Sequence, residues 1–187
     1  MMGTHQLIFG STKDFITGAT VADTDDERAR QQIARLLVEQ KGYAKSDIDS
    51  RLTLKVPVDG DSGIVPVDFV IRMEGVAFMV ILFRPGSIVT RERATAAVAR
   101  LLEPYVIPYA VITNAHDASI MATMTGKVAG RGLDAVFSKS AALRKLQGFE
   151  KTTLTKPQRQ KEFRILFTME VLTERECSEY TCGRIDL

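Results

Sequence analysis

The stretch Val65-Pro66-Val67-Asp68-Phe69-Val70-Ile71-Arg72-Met73-Glu74-Gly75-Val76-Ala77-Phe78-Met79-Val80-Ile81-Leu82-Phe83 decides the fold. Glu74-Gly75 is a two-residue turn between two runs rich in β-branched and apolar residues, the pattern of an antiparallel hairpin. Upstream, Leu52-Thr53-Leu54-Lys55-Val56 and the turn-rich Asp59-Gly60-Asp61-Ser62-Gly63 add another strand to make a meander. If Met73 opposes Val76, stepping back along the ladder sets Asp68 opposite Ile81. Side-chain alternation then gives Val65, Val67, Phe69, Ile71 and Met73 one continuous apolar face. Pro66, Asp68, Val70 and Arg72 take the other face, shared on the next strand with Ala77, Met79, Ile81 and Phe83. A Glu-Gly turn is a weaker register signal than Asn-Gly, and a one-residue slip puts Leu82 beside Asp68 instead.

Working outward, Asp23-Thr24-Asp25-Asp26 supplies capping groups and negative charge ahead of Ala29, Ile33, Leu36, Leu37 and Gln40, which predicts an amphipathic helix ending at Gly42. After Arg84-Pro85-Gly86-Ser87, the alanine-rich stretch Thr90 to Glu103 carries apolar residues at helical spacing and stops at Pro104. Tyr109 to Thr113 and Ile120 to Met124 read as strands, and Thr125-Gly126-Lys127 as a turn. The order αβββαβ, with a further short strand, is an α/β (α+β) fold: one mixed sheet flanked by helices. Ser140 to Leu146 is a short helix, and Pro157 to Thr173 a longer one with Phe163, Leu166, Phe167 and Val171 on a common face. The expected organisation is an N-terminal extension over 1–22, a core domain over 23–148 and a basic helical extension over 149–187.

The chain has 187 residues, 45% of them hydrophobic and 26% charged, enough for one domain and too few for the several domains of a helicase or nuclease motor. A net charge of +2 admits a local nucleic-acid contact and does not mark a histone-like binder. No basic segment followed by an apolar signal core opens the sequence, and the longest apolar run, Val76 to Phe83, is far short of the roughly 20 residues that span a bilayer. The two cysteines, Cys177 and Cys182, fit reduced thiols of a cytoplasmic protein with no membrane partner. His5 and His116 lack metal-ligand companions.

Glu27 on the first helix, Pro66-Val67-Asp68 on the second strand of the meander, and the apolar third strand leading to Arg84-Pro85-Gly86 resemble the N-terminal domain of type I restriction enzyme R subunits, in the PD-(D/E)XK nuclease superfamily. Tyr109-Ala110-Val111-Ile112-Thr113-Asn114, Thr125-Gly126-Lys127 and Gly132-Leu133-Asp134-Ala135-Val136 extend that resemblance, which covers about Asp23 to Leu146. It implies a restriction-endonuclease-like core with a Glu and a Lys two residues apart beside the Asp, because phosphodiester hydrolysis needs carboxylates for a hard divalent cation and a cation near the attacking water. This sequence has Ile81 and Phe83 at those places. Asp68 with Glu27 remains as a reduced Mg²⁺ site, and a salt bridge with Arg72, Arg84 or another basic group is the alternative role for Asp68.

The expectation is a stand-alone, catalytically degenerate relative that binds nucleic acid or assists a restriction or repair assembly. Arg84, Ser87, Arg91 and Arg93 gather at the entrance to the second helix, a natural place for phosphate, with surface pairing to Glu92 and other acids as the alternative. Seven basic residues, Arg144, Lys145, Lys151, Lys156, Arg159, Lys161 and Arg164, stand against Glu150 and Glu162 alone. A solvated helix surface is the plain alternative for this tract. The competing functions are a protein-interaction or oligomerisation module that pairs two copies through the C-terminal helix, and a weak Mg²⁺-dependent nuclease using replacement groups.

Overall fold

The computed structural model describes residues 8–58 and 61–170, the side chains of 58, 61 and 62 excepted. Expectations placed on His5, the Asp59-Gly60 turn, Val171, Thr173, Cys177 and Cys182 lie outside the described residues. A small hairpin of β1 (Ser11–Lys13) and β2 (Thr20–Ala22) precedes α1 (Asp25–Arg35). Thr24 caps α1 by accepting the Glu27 amide on its Oγ1 at 3.1 Å, and Asp25, Asp26 and Glu27 place their charge at the favourable end of the helix dipole. The helix widens into a π-helical turn, Leu36–Gln40, and the chain reverses at Gly42, whose φ of +77° suits glycine.

Next come β3 (Ile48–Val58), β4 (Asp61–Met73) and β5 (Val76–Phe83), then α2 (Glu92–Leu101), which crosses over to β6 (Tyr109–Thr113). β7 (Ala118–Ala122) and β8 (Lys127–Arg131) complete a six-stranded sheet in the order β3-β4-β5-β6-β7-β8. Among the described strands only β5 and β6 run parallel, as a helical crossover between neighbouring strands requires. β7 begins two residues earlier than expected because Ser119 sits in it fully buried, its hydroxyl donating to Glu92 at 2.8 Å. A satisfied hydroxyl can occupy a core strand position that composition reads as turn.

Glu74 and Gly75 both have positive φ, 51° and 74°, which is the two-residue hairpin geometry that sets Met73 opposite Val76. The ladder then departs from the expected register. Arg72 pairs with Ala77 but Ile71 pairs with Met79, so Phe78 is an extra residue in a bulge. Phe69, not Asp68, therefore faces Ile81, and Asp68 falls one step further along, level with Leu82.

The expected continuous face of β4 is also broken. Val65 and Val67 belong to the core beneath α2, whereas Phe69, Ile71 and Met73 belong to the core on the opposite side of the sheet. The reversal is centred on Asp68. Across from it in β3, Arg51 takes a φ of 58°, a left-handed conformation that is uncommon for a non-glycine residue. Pairing between β4 and β5 ends at Phe69 and Ile81, and the two strands part there.

Helices cover both faces. α1 and α3 (Lys139–Leu146) pack on the side of Phe69 and Ile81, through Ile33, Leu37 and Ala142 among others. α2 and α4 (Lys156–Met169) pack on the side of Val80 and Leu82. Leu166 of α4 is fully buried in that core, which contributes about 2 kcal/mol relative to exposure. The buried side of α4 also carries Glu162, whose carboxylate receives Arg100 at 3.1 Å, with Phe163 and Ile165 partly buried. Phe167, expected to share the face of Leu166, is instead 56% exposed. Of the apolar stripe expected to pair with a second copy, Leu166 and part of Phe163 pack into the core shared with α2 and β3, while Phe167 stays at the surface.

Candidate functional site

The reversal at Asp68 creates the most polar place in the interior. Asp68 is 6% exposed, and each of its oxygens is engaged. Oδ1 accepts Arg30 Nε from α1 at 2.7 Å. Oδ2 accepts the Phe83 amide at 2.9 Å and Arg84 Nη1 at 3.1 Å. The carboxylate therefore takes over a strand amide at the point where β4 leaves β5, which explains how an Asp is tolerated inside a sheet. Of the two arginines expected by name as salt-bridge partners of Asp68, Arg84 is the one found, and Arg30 is the other basic group. Arg72 turns away to Asp49 and Glu103.

From Asp68 the polar contacts run in both directions. Arg30 lies between Asp68 and Glu27, with Nη1 at 3.7 Å from Glu27 Oε2. Glu27 is 4% exposed and its Oε1 accepts Arg51 and Gln31. Arg51 continues to Asp14 through Nε at 3.0 Å and Nη2 at 2.8 Å. Asp14, in the β1–β2 connection, also accepts the Ile16 and Thr17 amides and the Thr17 hydroxyl. On the other side, Arg84 Nε donates to Glu170 Oε2 at 3.0 Å, and Arg91 Nη1 donates to Glu170 Oε1 at 2.7 Å. The result is a ladder of alternating charge: Asp14, Arg51, Glu27, Arg30, Asp68, Arg84, Glu170, Arg91. Four carboxylates and four guanidinium groups join the N-terminal hairpin, α1, β3, β4, the β5–α2 connection and the end of α4.

The electrostatics follow from this alternation. Burial alone would raise the Asp14 pKa, but the Thr17 amide and the Arg51 guanidinium outweigh it and hold the carboxyl below its ordinary value. Burial works against the charge of Arg30 and Arg51 as well. Asp68 and Glu27 for Arg30, and Glu27 and Asp14 for Arg51, overcome that penalty and raise both pKa values.

The sequence-predicted residues divide into three groups. Glu27, Asp68, Arg84 and Arg91 are brought together in the ladder, with Arg84 only 16% exposed at its side chain. Ile81 and Phe83 are core residues, and the Phe83 ring lies 5.5 Å from the Arg30 guanidinium carbon. Ser87, Arg93, Lys151, Lys156, Lys161 and Arg164 are exposed, while Arg159 is half-buried and donates to the Leu101 carbonyl at 3.3 Å. The basic tract does not form one surface: Arg144 and Lys145 sit on α3, on the opposite side of the sheet from α4. Asp14, Arg30, Arg51 and Glu170 are the members that sequence reasoning missed. Arg30 at three residues from Glu27 was the one available signal, since i,i+3 neighbours on a helix meet.

A family model for the type I restriction enzyme R protein N terminus matches residues 25–136. The chain belongs to this family. Neither curated proteins nor solved structures yield a match. The R protein N-terminal match spans α1 through the turn after β8, so Glu27, Arg30, Arg51, Asp68, Arg84 and Arg91 lie inside it, and Asp14 and Glu170 lie outside it on either flank. The donor set of the ladder does not fit a hard divalent cation, which needs several free oxygen ligands. Both oxygens of Asp68 and Oε1 of Glu27 accept guanidinium, amide or side-chain donors, Glu27 Oε2 faces Arg30 Nη1 at 3.7 Å, and Ile81, Leu82 and Phe83 add no oxygen ligand from their side chains. Among the described residues no cluster of three or more His, Cys, Asp or Glu side chains is placed to hold a metal, and no helix is long and apolar enough to cross a membrane.

Proposed function

We propose that this R protein N-terminal family member is a degenerate restriction-endonuclease-like domain that binds nucleic acid, or assists a DNA restriction or repair assembly, without cutting. The observation that carries this reading is the Arg30 guanidinium between Glu27 and Asp68. It supplies the positive charge that two carboxylates at such a place call for. A guanidinium keeps its proton and neither ligates nor acidifies a water molecule, so the arrangement offers no route to a metal-activated hydroxide.

Support for the binding half comes from α4. Its only acids within the helix and its cap, Glu162 and Glu170, are turned inward and paired, which leaves Lys156, Lys161 and Arg164 on a solvent face without carboxylates. Arg93 adds a further exposed cation on the neighbouring α2. Phosphate contacts from such a face fix affinity and carry no base preference.

Fluorescence anisotropy of labelled duplex and single-stranded DNA against the full chain tests the proposal. Binding is expected to weaken with salt with a log–log slope of about 3, the value for three to four phosphate contacts. Absence of binding at low salt defeats the binding half and moves the search to protein partners. Supercoiled plasmid incubated with Mg²⁺ or Mn²⁺ is expected to stay intact, and cleavage that disappears in Asp68→Ala would overturn the non-cutting half.

A further inference from the structure

Glu170 is an unusual occupant of its position. It follows the last residue of α4, the end of a helix where the dipole disfavours negative charge, yet its side chain is only 4% exposed. Its carboxylate is held by Arg84 and Arg91, one oxygen each, and Arg91 Nη1 also donates to the Met169 carbonyl at 3.1 Å. The two arginines belong to the connection between β5 and α2, inside the family region, whereas Glu170 comes from beyond it.

Arg84 is fixed independently of Glu170. Its Nη1 donates to Asp68 and the Phe83 carbonyl, and its Nη2 donates to the Pro66 carbonyl at 3.0 Å. Its Nε is the donor directed at Glu170. Arg91, 40% exposed at its side chain, supplies the second donor from the solvent side. Arg84, anchored by Asp68 and two carbonyls, and Arg91, whose Nη1 donates twice to the end of α4, converge on two oxygens of one anion, and a phosphate group offers the same pair of oxygens.

We infer that Arg84 and Arg91 form a phosphodiester seat that Glu170 occupies from within the same chain, so that the end of α4 inhibits nucleic-acid binding until a backbone phosphate displaces it. The inference rests on the nucleic-acid reading above and adds its regulation. Displacement exchanges one anion for another on the same donors. The carboxylate moves into water, and the two arginines take the place of the phosphate's condensed counterions, which are released to solution.

The test compares DNA affinity of the full-length parent, Glu170→Gln and Glu170→Ala by anisotropy at fixed salt. Glu170→Gln keeps the side chain's volume and removes its charge, so it remains informative if the alanine variant is unstable. Both variants are expected to bind about tenfold more tightly than the parent. Arg91→Ala added to Glu170→Gln is expected to erase the gain. Equal binding by parent and both variants overturns the inference and leaves the nucleic-acid reading standing, whereas no binding by any of them overturns both. Inorganic phosphate serves as the competing probe. A variant that gains phosphate affinity without gaining DNA affinity assigns the seat to a free anion and overturns the proposal.

Discussion

Asp68→Ala is expected to lower the free energy of unfolding by about 3 to 5 kcal/mol, as read from urea denaturation. The substitution removes one side chain and strands three donors: the Arg30 guanidinium, the Arg84 guanidinium and the Phe83 amide. Arg84 is poorly placed to recover its loss from water, being 16% exposed, while Arg30 is 28% exposed and recovers part of it. Asp68→Asn provides the contrast. Its amide oxygen can still accept the Phe83 amide while the charge is lost, and a smaller penalty of about 2 kcal/mol is expected. A loss below about 1 kcal/mol in the alanine variant would contradict the ladder, because it would mean that the two arginines are solvated as well without Asp68 as with it.

Arg30→Ala is expected to destabilise the chain by about 2 to 4 kcal/mol and to make its stability respond to divalent cations. Without the guanidinium, Glu27 and Asp68 face a common space with no cation between them. Millimolar Mn²⁺ is expected to raise the melting temperature of the variant by about 4 °C and leave the parent unchanged. The logic is linkage: an ion stabilises only the state that binds it, and the parent's carboxylates already have their partners. Equal responses in parent and variant, or none in either, would remove the argument that Arg30 stands where a cation is needed.

The order αβββαβ was legible because its signals are local. The Asp23-Thr24 cap, the Glu74-Gly75 turn and Pro104 each act over a few residues, and the structure has α1, the hairpin and the end of α2 where they point. The bulge at Phe78 was not legible. Strand β5 is apolar from Val76 to Phe83, so sliding it by one residue exchanges one large apolar side chain for another and leaves no trace in the pattern. That slide decides which residue stands level with Asp68, and Leu82 replaces Ile81 there.

The candidate site was half legible for a related reason. Asp68 stands out because a strand resists a carboxylate, and Glu27 and Arg84 lie beside recognisable landmarks. Arg51 and Asp14 do not stand out: their meeting depends on the left-handed backbone at Arg51 and on a hairpin built before residue 23. Glu170 looks like any charge on an amphipathic helix until α4 is laid against α2. Contacts that span 86 residues, as Arg84 to Glu170 does, are written in packing and not in local propensity.

The parting of β4 from β5 at Asp68 also bears on how the chain tolerates being shortened. Beyond that point β3 and β4 continue as a two-stranded arm whose inward residues, Leu54, Val56, Val65 and Val67, share a core with Leu166 of α4. A fragment ending at Gly148 would keep every strand of the sheet and lose the cover over that arm. It would present an apolar ribbon whose β4 edge lacks a ladder partner, a template for joining one molecule to the next. Cutting the chain at Gly148 would therefore favour association of one molecule with the next, edge to edge.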